Sequence, residues 1–323
     1  MINMFMDIKD YQQKVVDILT SDYFSQEDGY KLRTETIKKN NNINLHAICI
    51  QENNSNIAPT FYIEDYLRNN YEPEAAAHSI FQNYQKHKQE KIELASIDFN
   101  KLYDFDAVKD IVCFKVINRQ RNSEMANDCP VININDDLML AFYLQIKDDA
   151  TCLIQNKMCA AWELDKPTET LYKHAKENTE RLHPAKFQSM FAIMHGIMPE
   201  DMCAEIESSS DVPMFVLSNK ENIHGASVMF YRDGTLLDDY IAEFKSISPN
   251  FQGVYILPSS THEIIIIPDD TAINIDENAL VDMVREVNRT QLSESDFLSD
   301  NIFYYRTGEP IKQLTFSDKQ IVR

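Results

Sequence analysis

Only six glycines occur in the whole chain, at positions 29, 196, 225, 234, 253 and 308, and no two of them form a Gly-x-Gly turn. A loop that cradles phosphate needs glycine so that backbone N–H groups can approach the anion without a Cβ in the way. The scarcity therefore argues against P-loop, dinucleotide-binding and protein-kinase architectures. Nor does the chain contain a Gly-x-Ser-x-Gly elbow, a His-Glu-x-x-His helix, an EF-hand loop or a zinc-type spacing of Cys and His. What remains is a succession of short apolar runs and amphipathic stretches. These predict an α+β protein of mixed, largely antiparallel sheets with packed helices.

Tyr11, Val15, Val16, Ile18 and Leu19 recur at helical spacing and predict a helix at the start of the chain. Residues 31–39 alternate in strand fashion. Leu45 to Ile50 and Ile57 to Ile63 read as a hairpin around an Asn-rich turn, and helices follow near Glu64–Asn70 and from Pro73. Ile111 to Ile117 is a near-continuous apolar strand, with further strands expected at Val131–Ile134, Leu138–Ile146 and Thr151–Ile154. Helices are expected over Asn156–Leu164 and Pro167–Arg181. After a Met-rich stretch and Ser208-Ser209-Ser210, the last third reads as a β-β-α-β-β unit. Its strands are Met214–Leu217, Ala226–Tyr231, Gly253–Leu257 and Glu263–Ile267, and its helix is Leu236–Phe244. A helix from Glu277 and a hairpin of Ile302–Tyr305 with Ile311–Leu314 close the chain. The shift in composition places a division at 1–205 and 206–323, the alternative being one continuous domain.

Several segments carry a resemblance to a known family. They are Ile117-Asn118-Arg119-Gln120-Arg121-Asn122, Ala175-Lys176-Glu177-Asn178-Thr179, Val216-Leu217-Ser218-Asn219-Lys220, the run from Tyr255 to Glu263, and Met283-Val284-Arg285-Glu286-Val287-Asn288. Together they resemble a family of uncharacterised proteins of gut-dwelling Gram-positive bacteria, defined only as a domain of unknown function. The order of elements is more distantly similar to a second uncharacterised family of bacilli. The resemblance implies a cytoplasmic bacterial protein and brings no activity or catalytic residue with it.

Two sets of residues are candidates for chemistry. Ser259-Ser260-Thr261-His262-Glu263 sets hydroxyls, an imidazole and a carboxylate at a strand mouth, the residue types of nucleophilic catalysis. Adjacent strand residues point to opposite faces, however, so His262 and Glu263 do not address one site unaided. If neighbouring hairpins bring His224 beside His262, two imidazoles and Glu263 could hold a divalent metal; otherwise they are hydrogen-bonded edge residues, and no metal or cofactor is expected. In the second set, Arg119 and Arg121 follow directly on an apolar strand, where a guanidinium could grip a carboxylate or phosphate bidentately. The competing reading pairs them with Glu124 and Asp128.

Charge narrows the partners. The chain carries 31 basic and 51 acidic residues, a net −20. A field of that sign repels phosphate backbones and anionic membranes, so direct nucleic-acid and membrane binding are not expected. No stretch approaches the roughly 20 apolar residues of a membrane span, and Met1 to Asp10 lacks the basic and apolar regions of a secretory signal. Six cysteines without a CxxC pair, several inside apolar runs, read as buried thiols. These features place the chain in the cytoplasm. They favour a non-enzymatic interaction or scaffold protein with a protein partner. The alternatives are a hydrolase or metal-dependent enzyme using His262, Glu263 and His224, and an acidic decoy of a nucleic-acid-binding protein.

Overall fold

All strand pairs among the described residues run antiparallel, in sheets of three, four and six strands, with helices packed on them. The computed structural model describes residues 6–53, 55, 58–95, 99–147, 150–199, 212–247 and 250–314. The chain is α+β, and it divides into two compact units, Met1–Leu102 and Tyr103–Arg323. The composition-based division at 205/206 falls inside the second unit, and residues 200–211 around it, with Cys203 and the serine run, lie outside the described residues.

The first unit sets helices α1 (Ile8–Asp22) and α2 (Pro73–Ala95) against a sheet of β1 (Tyr30–Lys38), β2 (Asn44–Glu52) and β3 (Thr60–Tyr62). Tyr11, Val15 and Leu19 stand four residues apart, so they form one stripe on α1. That stripe meets Ala76, Ala77, Ile80 and Tyr84 of α2 and the alternating Ile48 and Ile50 of β2 in one buried cluster. Gln12 ties the layers together by donating from Nε2 to the Ala47 carbonyl at 2.8 Å.

In the second unit, β6 (Leu138–Lys147) is the centre of the four-stranded sheet. It pairs with β4 (Val112–Asn118) on one side, and with β5 (Val131–Asn133) and β7 (Ala150–Leu153) on the other. β4 and most of β6 are buried, which accounts for their near-continuous apolar sequence. Helix α3 (Pro167–Leu182) packs beside β4 and caps its outer edge. The Thr179 Oγ1 accepts from the Phe114 N–H at 3.0 Å, and the Asn178 Nδ2 donates to the Val112 carbonyl at 3.0 Å.

The third sheet runs in the order β13-β12-β10-β11-β9-β8. Its strands are β8 (Ala185–Ser189), β9 (Phe215–Asn219), β10 (Phe251–Leu257), β11 (Ile264–Asp270), β12 (Ile302–Tyr305) and β13 (Lys312–Leu314). Helix α4 (Leu237–Ile247) stacks Tyr240 on Phe187 with ring centres 4.4 Å apart, and helix α5 (Glu277–Thr290) buries Leu280, Val281 and Val284 against Tyr255, Leu257 and Ile267.

One expected strand is absent from the β-β-α-β-β unit. Ala226–Tyr231 lies within a 3₁₀-helical segment, Gly225–Gly234, that ends where Arg232 and Asp233 take left-handed φ values of 52° and 58°. Every residue from Gly225 to Tyr231 is buried, so the run is almost wholly apolar and its sequence carries no period that separates helix from strand. Its position has a use: the Ser227 Oγ accepts from the Val116 N–H at 3.0 Å, completing the cap on the edge of β4. The other three strands of the unit, β9, β10 and β11, do share one sheet.

Candidate functional site

The register Ile264↔Leu217 between β11 and β9 sets the turn before β11 beside the end of β9. From there the chain returns through His224, whose φ of 54° is left-handed, directly into Gly225. This path, and not a pair of neighbouring hairpins, brings the two histidines together. Their rings are parallel within 8° with centres 6.1 Å apart, and the His224 backbone N–H donates to His262 Nδ1 at 3.3 Å. Gly225 is required by the crowding at this junction, since a Cβ there would lie 2.1 Å from Ser218 Oγ and 2.3 Å from the His262 carbonyl oxygen.

The chemistry open to this pair follows from its hydrogen bonds. With Nδ1 accepting, neutral His262 carries its proton on Nε2, which faces Asp296 Oδ1 at 3.4 Å. His224 Nδ1 is buried without a partner. Burial, and then the charges of Lys115, His262 and His183, hold its pKa well below the ordinary imidazole value. Glu263 turns elsewhere and accepts from Ser259 Oγ at 3.4 Å. Among the described residues no group of three or more His, Cys, Asp and Glu side chains is arranged to hold a metal ion.

The two arginines after β4 part company. Arg119 is absorbed into the turn before β6: its backbone N–H donates to the Asp137 carbonyl at 2.6 Å and its Nη1 to the Asn135 carbonyl at 2.9 Å. Arg121 is exposed, and its guanidinium lies over the buried Phe297 ring, 3.5 Å from the ring centre. The end of β4 is held here by Asn118, which accepts from the Arg121 N–H at 2.7 Å and donates to the Leu298 carbonyl at 2.8 Å.

Arg121 opens onto a cleft of about 580 Å³ lined also by Arg285, Asn288, Arg289 and Leu292 of α5 and its end, and by Ser293, Glu294, Phe297 and Asp300. Arg285 and Arg289 stand one turn apart on α5, and Arg289 also pairs with Glu286. Asn288 ties α5 to the chain at 299–300 by donating from Nδ2 to the Ser299 carbonyl at 2.9 Å and to Asp300 Oδ1 at 2.8 Å. Three arginines therefore line one cavity in a chain of net charge −20. Arg285 and Arg289 escaped the reading from sequence. The available signal was their four-residue spacing beside the apolar stripe Leu280, Val281 and Val284, but nothing local indicated that Arg121 would join them.

A family model described as a family of unknown function, DUF5688, matches residues 8–307. No curated protein and no solved structure matches the chain.

Proposed function

The chain belongs to that family of unknown function, and from this premise we propose that it is a non-enzymatic binding protein of the cytoplasm whose arginine-lined cleft takes an acidic segment of a protein partner. The observation that carries the reading is the cluster of Arg121, Arg285 and Arg289 around one cavity. The contact with the Phe297 ring restrains the Arg121 guanidinium, which lowers the ordering cost of a bidentate carboxylate contact. Glu294 and Asp300, which line the same cleft, can accept from backbone or side-chain N–H groups of the same segment. A protein segment with a few carboxylates suits this site better than a nucleic acid, whose dense phosphates meet the repulsion of the whole chain. Among the described residues no helix is long and apolar enough to cross a membrane, in keeping with a partner met in solution. His262 adds no catalytic group to the cleft, being engaged by the His224 N–H and by Asp296.

The test is fluorescence anisotropy of a labelled peptide carrying a few glutamates in an otherwise uncharged sequence, titrated with the full chain. Saturable binding that weakens with added salt is expected, with affinity falling by about tenfold or more in Arg121→Glu and in Arg285→Glu. No saturable binding, or binding untouched by both reversals in folded protein, would overturn the reading.

A further inference from the structure

We propose that two copies of this chain pair edge to edge through β1, with a two-fold axis at Thr34, so that two three-stranded sheets become one. The inference is independent of the arginine-lined cleft and involves none of its residues. β1 is an edge strand of nine residues, hydrogen-bonded to β2 from Tyr30↔Glu52 to Lys38↔Asn44 without a register shift. Among the described residues, the backbone of 31–37 makes no hydrogen bond beyond that ladder. A row of open N–H and C=O groups of this length is a template for another strand. The strand contains neither a proline nor a bulge, two devices that commonly blunt such edges.

The side chains select the occupant. Arg33, Thr34, Glu35 and Thr36 are all exposed, and Arg33 and Glu35, on the same face, already approach within 3.7 Å. Outward N–H groups alternate along a strand, so residues directly opposite each other in an antiparallel pair of identical strands share parity. The two-fold axis must then pass through a residue. Centring on Arg33 sets arginine against arginine, and centring on Glu35 sets glutamate against glutamate. Centring on Thr34 sets Arg33 opposite Glu35 of the second copy twice over, and Thr34 opposite itself. Opposite charges and paired threonines are the favourable cross-strand neighbours, whereas like charges are unfavourable. In this register Lys31 meets Ile37 and Lys38 meets Tyr30, so no lysine faces a like charge. An unrelated peptide would satisfy the backbone but not this reciprocal charge pattern. The strand is complementary to itself.

Sedimentation velocity of the full chain at concentrations up to about 0.1 mM is expected to show reversible dimerisation, an affinity in keeping with a small edge contact. Arg33→Glu and Glu35→Arg should each weaken the dimer by about tenfold or more, because each turns two attractive cross-strand pairs into repulsive ones. The combined swap, R33E with E35R, regenerates the pairs and should restore dimerisation. Circular dichroism checks each fold. Should a single reversal unfold the chain, Thr34→Lys takes its place, since it sets like charges face to face on the axis at an exposed position. A monomeric wild type would overturn the proposal. So would single variants that dimerise as well as wild type, or a folded double swap that stays monomeric.

Discussion

His224 enters its segment at a left-handed φ of 54°, with Nδ1 buried and unpartnered, and burial reinforced by Lys115, His262 and His183 holds its pKa well below the ordinary value. The unfolded chain therefore binds a proton that the folded chain refuses. Between the two pKa values stability rises with pH, and it is lost as pH falls below the unfolded value of about 6.5. Unfolding free energies from urea titrations between about pH 7.5 and about pH 5.5 should fall more steeply in wild type than in His224→Gln, by up to about 1.4 kcal/mol per pH unit. Equal slopes would show that His224 is not held neutral. Gly225 next to it is governed by space alone. Its alanine Cβ would stand 2.1 Å from Ser218 Oγ, 2.3 Å from the His262 carbonyl oxygen and 2.9 Å from the Asn219 nitrogen. Gly225→Ala should cost about 3 kcal/mol in chemical denaturation. Gly308→Ala serves as contrast: φ there is +80° but nothing lies within 4 Å, so only the left-handed backbone is penalised, by about 1 kcal/mol.

At the scale of elements, the outer edge of β4 is the feature on which much of the second unit's packing turns. It is closed by side chains where another strand would otherwise lie. Thr179 Oγ1 accepts from the Phe114 N–H and itself donates to the Ala175 carbonyl at 2.5 Å, so the hydroxyl is fully engaged within α3 and toward the sheet. Ser227 Oγ serves Val116 from the 3₁₀ segment. Both hydroxyl-bearing residues are 1% exposed, so no water replaces them when they are removed. Thr179→Val keeps the shape and strands a buried N–H. It should lower stability by about 1–3 kcal/mol in urea titration, whereas Thr179→Ser, which retains the acceptor, should lose clearly less. If valine and serine proved equally costly, the hydroxyl would not be the reason for the residue.

Over the whole molecule, the charge of −20 sets what can approach it. Counterion release from phosphate backbones requires clustered lysines and arginines, and here the arginine cleft is small against an acidic background. A labelled DNA duplex should therefore show no saturable anisotropy change with the full chain at about 0.15 M salt. Micromolar binding that weakens with salt would contradict this. The same long-range repulsion favours binding partners with few negative charges over polyanions, whatever their shape.

The amino-acid sequence alone determined elements whose hydrophobic period is long and clean. Tyr11, Val15 and Leu19 mark α1; Leu280, Val281 and Val284 mark α5; the runs 253–257 and 263–267 become the paired strands β10 and β11. It also singled out Arg121, which faces a cavity, and the two histidines that now stack. Three things waited for the tertiary structure. The run from Ala226 to Tyr231 is buried on every side, so only its packing against β4 decides that it is helical. The strand β8, with each residue only half-buried, has no alternation to betray it and exists through its pairing with β9. The arginines of α5 meet Arg121 because the chain from Phe297 to Asp300 is pinned to both β4 and α5. Periodicity reports which face of an element is buried. Which distant element covers that face depends on burial and hydrogen bonding summed across the fold, and no local stretch of sequence contains that information.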